Sequence, residues 1–213
     1  MERDEKGRRL LKEHPLRGIE LPREKNPRRP VMMDDAYQAL LEVADRVHPQ
    51  LKLALVIAEG TGRRLSSWAL LRWDDIDFDA KPYGAIRWRA ENDKKGYEQV
   101  VPISLVVREA LLEARQKQKA IGTRWVFPSD WDPTLATKRE LYDQRLRRAY
   151  KLAELEKEPG SRWHALRRKW ATERKGYPIN DLAAAGGWRD TPTLLASYLR
   201  TDAETIMQVV LNP

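Results

Sequence analysis

The chain has 213 residues, enough for one substantial domain with a buried core, and 41% of its residues are hydrophobic, as in globular proteins. Charged residues make up 34% of the chain, and a formal net charge of +8 with a pI near 9.7 favours a polyanionic partner such as nucleic acid. The absence of cysteine excludes disulfides, zinc–thiolate sites and cysteine nucleophiles, and three histidines leave little for a histidine metal site. No apolar run approaches the ~20 residues of a membrane span and no signal peptide opens the chain, so we expect an intracellular protein.

Residues 1–30 differ in composition from the rest of the chain. This segment carries ten Lys and Arg residues against six Asp and Glu residues, about half of the net charge, together with four prolines. Such a composition is typical of a linker or arm and not of a packed domain. The segment can be a solvated tail or a basic strap that lies along DNA phosphates, and the sequence leaves both interpretations open.

From residue 31 onward the pattern is globular, and we assign 31–213 to one domain. Its first helix can be capped by Asp34 or Asp35 and carries Tyr37, Leu40, Leu41 and Val43. Further helices are predicted at about 50–60, 65–71, 105–121, 138–155, 161–175, 179–184, 192–199 and 202–211. Three short strands, DIDFD, AIRWRA and EQVVPIS, separate the third and fourth helices, with a hairpin turn at 93–96. The predicted fold class is therefore α+β, mostly helical, with a small three-stranded antiparallel sheet near residues 75–103.

His164 and Arg167 lie three residues apart on a predicted helix, so both side chains project from one face. A guanidinium offers paired donors that match the non-bridging oxygens of a phosphate. An adjacent imidazole can donate to the same phosphate or relay a proton near neutral pH. The same spacing arises by chance on many helix surfaces, so the pair alone does not establish a site.

Arg64 and Lys94 are two further cations placed where an anion could be held. Arg64 lies in GTGRRLSS at the start of a helix, where it could reach an anion near the helix N-terminus. The alternative is a solvated arginine, of which the neighbouring Arg63 is an example. Lys94 lies at the predicted hairpin tip and could contact a base or protonate a departing oxygen in a groove. The alternative for Lys94 is an ordinary exposed turn lysine.

Two aromatic residues near the end of the chain complete the candidates. Trp188 follows Gly186 and Gly187, and its indole is either packed in the core or free to donate its N–H to a ligand. Tyr198 is one of seven tyrosines, and its LLASY context also fits the edge of a buried helix stripe. In combination with the cations upstream, Tyr198 becomes a candidate nucleophile toward a phosphate.

The order and context of these residues resemble the tyrosine recombinase (phage integrase) family. The family's first box resembles GTGRRLSSWALLRWDDIDF, where a T-G-x-R turn precedes a helix that ends L-x-W-x-D-I-D. This match places the family's first catalytic arginine on Arg64 and not on Arg63. The family's strand-turn lysine motif resembles KKGYEQVVPIS, in which Gly96 and the VVP run set the register on Lys94.

The resemblance continues in the C-terminal part of the chain, where the last four catalytic candidates lie. The family's H-x-L-R box is matched by HALR, which gives His164 and Arg167. Its L-G-H/W segment resembles AGGW, which gives Trp188, and its nucleophile falls on Tyr198. The resemblance covers most of residues 30–200, and LRGIELPREKNPRRP before it looks like the family's interdomain linker.

The chain departs from the family pattern in several places. The family often has an acidic residue three positions after the first arginine, whereas this chain has Ser67, so a carboxylate support for Arg64 is in doubt. Trp188 replaces the commoner second histidine, and Lys95 competes with Lys94 for the lysine role. The family's N-terminal core-binding domain, which clamps DNA, has no counterpart in the sequence. Either the sequence is a truncated piece of a longer protein or the protein is unusually short. We expect truncation, because the chain opens partway through the segment that looks like a linker.

The resemblance implies a mechanism that needs neither metal, ATP nor any other cofactor. Tyr198 would attack a DNA phosphodiester, form a 3′-phosphotyrosine and release a 5′-hydroxyl. The two arginines of the boxes would stabilise charge on the non-bridging oxygens. His164 would take the tyrosine proton, Trp188 would hydrogen-bond the phosphate, and Lys94 would protonate the leaving oxygen. A 5′-hydroxyl of a partner strand would then reverse the reaction.

The resemblance also implies double-stranded DNA as partner and a tetramer on paired sites, with a monomer in the absence of DNA. It implies a cytoplasmic, nucleoid-associated protein of a prokaryote or phage. The predicted helix at 202–211 either exchanges between protomers or packs on its own domain. Two other activities stay open: a type IB topoisomerase or telomere resolvase, and a non-catalytic DNA-binding module of the same fold.

Overall fold

The computed structural model describes residues 29–92, 96–118, 123–156 and 163–198, together with residues 207 and 211. Eight helices and three strands lie in these ranges. The helices are α1 (Asp34–Val47), α2 (Leu51–Thr61), α3 (Leu65–Trp68), α4 (Leu105–Lys117), α5 (Arg139–Leu152), α6 (Trp163–Glu173), α7 (Ile179–Gly186) and α8 (Thr191–Ser197). The strands are β1 (Ile76–Asp77), β2 (Ala85–Trp88) and β3 (Gln99–Pro102). The predicted fold class, mostly helical with one small sheet, is confirmed.

Helix starts follow the local capping chemistry in some places and not in others. The Ser104 side chain accepts a hydrogen bond from the Val107 amide at 3.4 Å at the start of α4, and Asp190 accepts one from Thr193 at 2.9 Å at the start of α8. The prediction that Asp34 or Asp35 caps α1 is wrong, because Met33 occupies that position. Both aspartates lie in the first helical turn, where their negative charges interact favourably with the helix dipole.

The main core surrounds α2, which is apolar on nearly every face. Seven of its eleven residues are buried, and it packs against α1, α4 and α6. Four aromatic side chains join α3, α5 and α6 beside it: Trp68, Phe127, Tyr142 and Trp163. Because α2 is enclosed, its C-terminal end at Gly62 is a fixed point from which the chain turns toward α3.

The sheet is antiparallel with strand order β1-β2-β3, as predicted. β2 pairs with β3 from Ala85 opposite Pro102 to Trp88 opposite Gln99. The strands are shorter than predicted because β1 retains only two residues before the chain bends at Asp79 and Ala80, whose amides both donate to Asp77. Residues 93–95 of the predicted turn at 93–96, among them Lys94, lie outside the described residues, whereas Gly96 is described and has a φ of +67°.

A second, smaller core closes the described C-terminal region. It is formed by the second half of α6 with α7 and α8, and its buried members are Trp170, Ala171, Leu182, Ala183, Trp188, Leu194 and Tyr198. α6 belongs to both cores, since its first half packs in the main one. The arm at 1–28 and nearly all of the predicted helix at 202–211 lie outside the described residues. In the described ranges no helix is long and apolar enough to cross a membrane.

Candidate active site

Five of the six residues singled out from the sequence lie around one cavity or directly beside it. Arg64, His164 and Arg167 line a cavity of about 110 Å³. Tyr198 hydrogen-bonds to His164, and Trp188 packs against both Arg167 and Tyr198. The sixth residue, Lys94, lies outside the described residues, in the segment 93–95 between β2 and β3.

Arg167 is almost completely buried at the centre of this group, with 1% of its surface exposed. Its Nη1 donates to the carbonyl oxygens of Gly62, at the end of α2, and Gly186, at the end of α7. Its Nε and Nη2 are buried and have no hydrogen-bond partner among the described residues. Burial lowers the pKa of Arg167 to about 9, with Arg64 as the next cause, so the guanidinium stays charged at neutral pH. Two donors of a buried cation are thus left for a ligand.

Arg64 and Arg63 are neighbours in sequence but point to different surroundings. Arg64 caps α3 by position, is half-buried, and donates from Nη1 to the Gly187 carbonyl at 3.4 Å. Arg63 is 4% exposed and donates from Nη2 to the Gln99 side chain at 2.7 Å. Ser67 is buried on α3, so no carboxylate stands at the position where the family often has one.

His164 is adjacent to the tyrosine hydroxyl. Its Nδ1 lies 3.3 Å from Tyr198 Oη, and which atom donates depends on the imidazole tautomer. The pKa of His164 is lowered to about 4, first by desolvation in the surrounding protein and then by Arg167 and three other arginines. His164 nevertheless keeps an exposed surface on α6. The ring is therefore neutral at pH 7 and can accept a proton on Nδ1 when Nε2 carries the hydrogen.

Tyr198 is held with its hydroxyl in the site. Its backbone follows the end of α8, its carbonyl accepts a hydrogen bond from Thr172 at 3.2 Å, and only 9% of its surface is exposed. The ring meets Trp188 edge-on at 4.9 Å between centroids. The Arg167 guanidinium carbon lies 5.2 Å from the tyrosine ring centroid. The hydroxyl is thus within side-chain reach of the arginine.

Trp188 serves as packing and also keeps a free donor. Its ring stacks on Trp170 at 5.9 Å, and the Arg167 guanidinium lies over it at 3.4 Å from the centroid. Its Nε1 is buried and has no hydrogen-bond partner in the part of the chain that is described. Gly186 allows this placement, because a Cβ there would come within 2.0 Å of the indole. The sequence offered two alternatives for Trp188, a ring packed in the core or an N–H free to donate to a ligand. The structure is compatible with both at once.

The cavity contains two charged residues that the sequence did not single out. Arg139 and Asp143, one turn apart at the start of α5, line it together with Arg63 and Trp163. Arg139 is also among the charges that lower the pKa of His164. The signal in the sequence was an arginine near the start of the predicted helix at 138–155, where an anion is favoured. With four arginines and one carboxylate in its lining, the cavity is strongly positive and suits an anionic group.

A comparison with known families agrees with a positive cavity that has a tyrosine beside it. The model of the phage integrase family matches residues 30–205. This chain belongs to the phage integrase family. The sequence has no significant match among curated proteins.

Solved structures of phage integrase relatives share the fold. XerA recombinase is 20% identical with a TM-score of 0.68, over 86% of this chain and 66% of that one. XerH site-specific recombinase, in a post-cleavage complex with its palindromic difH substrate, is 16% identical with a TM-score of 0.66, over 88% and 54%. The Tn1549 transposon integrase in complex with transposon right end DNA is 18% identical with a TM-score of 0.67, over 90% and 67%. The chain thus spans about half to two thirds of these relatives.

Proposed function

We propose that this chain cleaves and rejoins DNA at specific sites through a 3′-phosphotyrosine on Tyr198. The observation that carries the proposal is the 3.3 Å contact between Tyr198 Oη and His164 Nδ1 beside a buried arginine with unpaired donors. A nucleophile, a base and an anion-binding group beside one another are the parts that phosphoryl transfer requires.

The phosphate would be held by donors that have no partner among the described residues. Nε and Nη2 form one edge of the Arg167 guanidinium, and such an edge matches two phosphate oxygens. Trp188 Nε1 is a third buried donor beside it. Arg64 adds a positive charge at the N-terminal end of α3. These groups would act on the negative charge that develops on the non-bridging oxygens in the transition state.

The bond changes balance without an external reactant. The Tyr198 oxygen forms a bond to phosphorus as its proton passes to neutral His164 at Nδ1. The bond from phosphorus to the 5′-oxygen breaks, and that oxygen takes a proton, for which Lys94 is the proposed donor. The phosphodiester is exchanged for a phosphotyrosine ester, so a 5′-hydroxyl can reverse the reaction with neither ATP nor a metal ion.

We extend the proposal to the partners that the family suggests. The relatives include XerH and the Tn1549 integrase in complexes with DNA. The net charge of +8 suits the same ligand. We propose double-stranded DNA as substrate, a monomer without DNA, and a tetramer on paired sites, since exchange between two duplexes needs four active sites. A location in the cytoplasm with the nucleoid, in a prokaryote or phage, follows from that substrate.

A nicked suicide substrate tests the proposal. Cleavage near the nick releases a short oligonucleotide, which removes the 5′-hydroxyl that would reverse the reaction and traps the covalent adduct. We expect an adduct with the wild-type chain and none with Tyr198→Phe, which keeps the ring packing against Trp188. Tyr177→Phe, at an exposed tyrosine, is the matched control and should behave like wild type.

Two outcomes would contradict parts of the proposal. An adduct that persists in Tyr198→Phe means that another residue is the nucleophile. Relaxation of supercoiled plasmid without recombinant product from paired sites would assign the chemistry to a single duplex, as in a type IB topoisomerase.

A further inference from the structure

We infer that Arg63 is a positioning residue of the site, which fixes the β2–β3 hairpin and the turn before Trp188 relative to Arg64. The inference rests on the proposed function, because its catalytic readout is the proton transfer proposed for Lys94. Arg63 had no role in the sequence interpretation beyond that of a solvated basic residue. Its burial, at 4% exposed, overturns that interpretation.

Arg63 contacts the last pair of residues in the hairpin. Its guanidinium carbon lies 5.0 Å from the centroid of the Trp88 ring, and its Nη2 donates to Gln99 Oε1 at 2.7 Å. Trp88 and Gln99 are directly opposite each other in the register of β2 and β3, and their pair is the one nearest the turn. Lys94 belongs to the segment 93–95 between the two strands, which lies outside the described residues. The strand ends on either side of that segment are therefore both in contact with one arginine.

The same guanidinium contacts the C-terminal end of α7. Nη2 also donates to the carbonyl of Ala184 in the last turn of that helix at 3.3 Å. Gly187 has a φ of +70°, and a Cβ on it would come within 2.3 Å of Arg63 Nη1. A glycine is required there both for the backbone conformation and for the close approach of the arginine. Since Trp188 is the next residue, Arg63 joins the indole to the hairpin.

The chemistry of arginine explains why this position is not served by a smaller cation. A planar guanidinium can lie over a ring while its N–H groups reach acceptors on two sides, whereas an ammonium is a single point of charge. Burying a cation costs free energy, and Arg63 also lies close enough to Arg167 to lower its pKa. A charge kept there at such a cost is consistent with a role in holding the site together.

A change of leaving group tests the inference. A substrate with sulfur in place of the bridging 5′-oxygen releases a thiolate, which needs little help from an acid. Gln99→Met removes the hydrogen bond from Arg63 to β3 and leaves the contacts of Arg63 to Trp88 and Ala184. We expect it to slow cleavage of the oxygen substrate at saturating DNA by ~10-fold or more, and to leave cleavage of the sulfur substrate nearly unchanged. Arg63→Met should show the same selective loss with a further loss on both substrates, because the Trp188 turn is released as well.

Arg108→Met is the matched control, because Arg108 also donates to main-chain carbonyls and lies over an aromatic ring, Phe78, away from the cavity. It should affect both substrates equally. Losses of equal size on the two substrates for Gln99→Met and Arg63→Met would overturn the inference.

Hydrogen exchange decides the matter independently of catalysis. We expect faster exchange of the amides of β3 and of Trp188 in Arg63→Met than in Arg108→Met. Equal exchange in the two variants overturns the inference, even if the wild-type chain forms no adduct. Absence of any wild-type adduct with either substrate would instead refute the proposed function.

Discussion

The pKa of His164 differs from that of a free histidine because the ring is desolvated and has arginines around it. Desolvation and the nearby arginines lower its pKa to about 4. A histidine with a folded pKa below its unfolded value of ~6.5 stabilises the fold fully above that value and progressively less as pH falls toward 4. The neutral form is the one that can take a proton from Tyr198, so the same shift serves the proposed chemistry.

We predict that the imidazole resonances of His164 titrate near pH 4, and that inorganic phosphate raises the midpoint. A bound anion offsets the arginine charges that help to lower the pKa. His48 is an internal control, because its pKa is lowered by burial and Arg145 away from the cavity, and phosphate should leave it unchanged. A His164 midpoint at its ordinary value, unaffected by phosphate, would contradict the positive cavity.

Trp188→Phe separates the two roles of the indole. Phenylalanine keeps an aromatic ring against Trp170 and Arg167 but has no N–H to offer a phosphate. We expect cleavage to slow by ~100-fold or more, the range for a lost transition-state donor, with a far smaller stability loss than the ~3–5 kcal/mol of Trp188→Ala. Single-turnover cleavage and denaturant unfolding measure the two effects. Equal cleavage by Trp188→Phe and wild type would leave the indole with packing alone.

For individual residues, sequence patterns predicted positions better than they predicted contacts. The T-G-x-R turn picked Arg64, and the structure puts that residue on the cavity wall. Arg63 was passed over because its importance comes from Gln99, Trp88 and Ala184, which are distant in sequence. Only the folded chain brings such partners together.

The elements converge on the site through their ends. Gly62 ends α2, has a φ of +62°, and gives its carbonyl to Arg167. A Cβ on it would come within 2.5 Å of the Trp170 ring. The positive φ and the close approach of Trp170 both require a glycine at position 62. The same residue accepts the hydrogen bond from the Arg167 guanidinium.

Gly62→Ala should therefore destabilise the fold by about 1–3 kcal/mol and slow cleavage, through backbone strain and displacement of Trp170. Gly176→Ala is the control, since nothing lies within 4 Å of a Cβ there and no positive φ is required. Denaturant unfolding of the two variants makes the comparison. Equal stability of both variants would show that the α2 end is not under this constraint.

Helix periodicity predicted the elements, and non-local contacts decided their limits. The apolar spacing of α1 is visible in the sequence, but its start at Met33 is not, because the Met32 amide donates to Ala165 on α6 and fixes the chain just before the helix. The sequence likewise did not predict that Arg139 lines the cavity, because this depends on how α5 packs against the rest of the fold.

The whole chain carries a formal net charge of +8, which suits a polyanion. We predict weak DNA binding by this chain alone, with an association constant that falls linearly on a log–log plot against salt. Arg139→Gln should lower the steepness of that plot by about one unit, because one phosphate contact is lost. Arg46→Gln, at an exposed arginine of α1 outside the cavity, should change it less. Tight site-specific binding at ~0.15 M salt would contradict the prediction.

The central claim is that Tyr198 becomes covalently joined to DNA. Mass spectrometry of the protease-digested adduct from a nicked substrate tests it most directly. We predict a single modified peptide, with the nucleotide on Tyr198 through a 3′-phosphate. A nucleotide on any of the six other tyrosines, or linkage through a 5′-phosphate, would contradict the account.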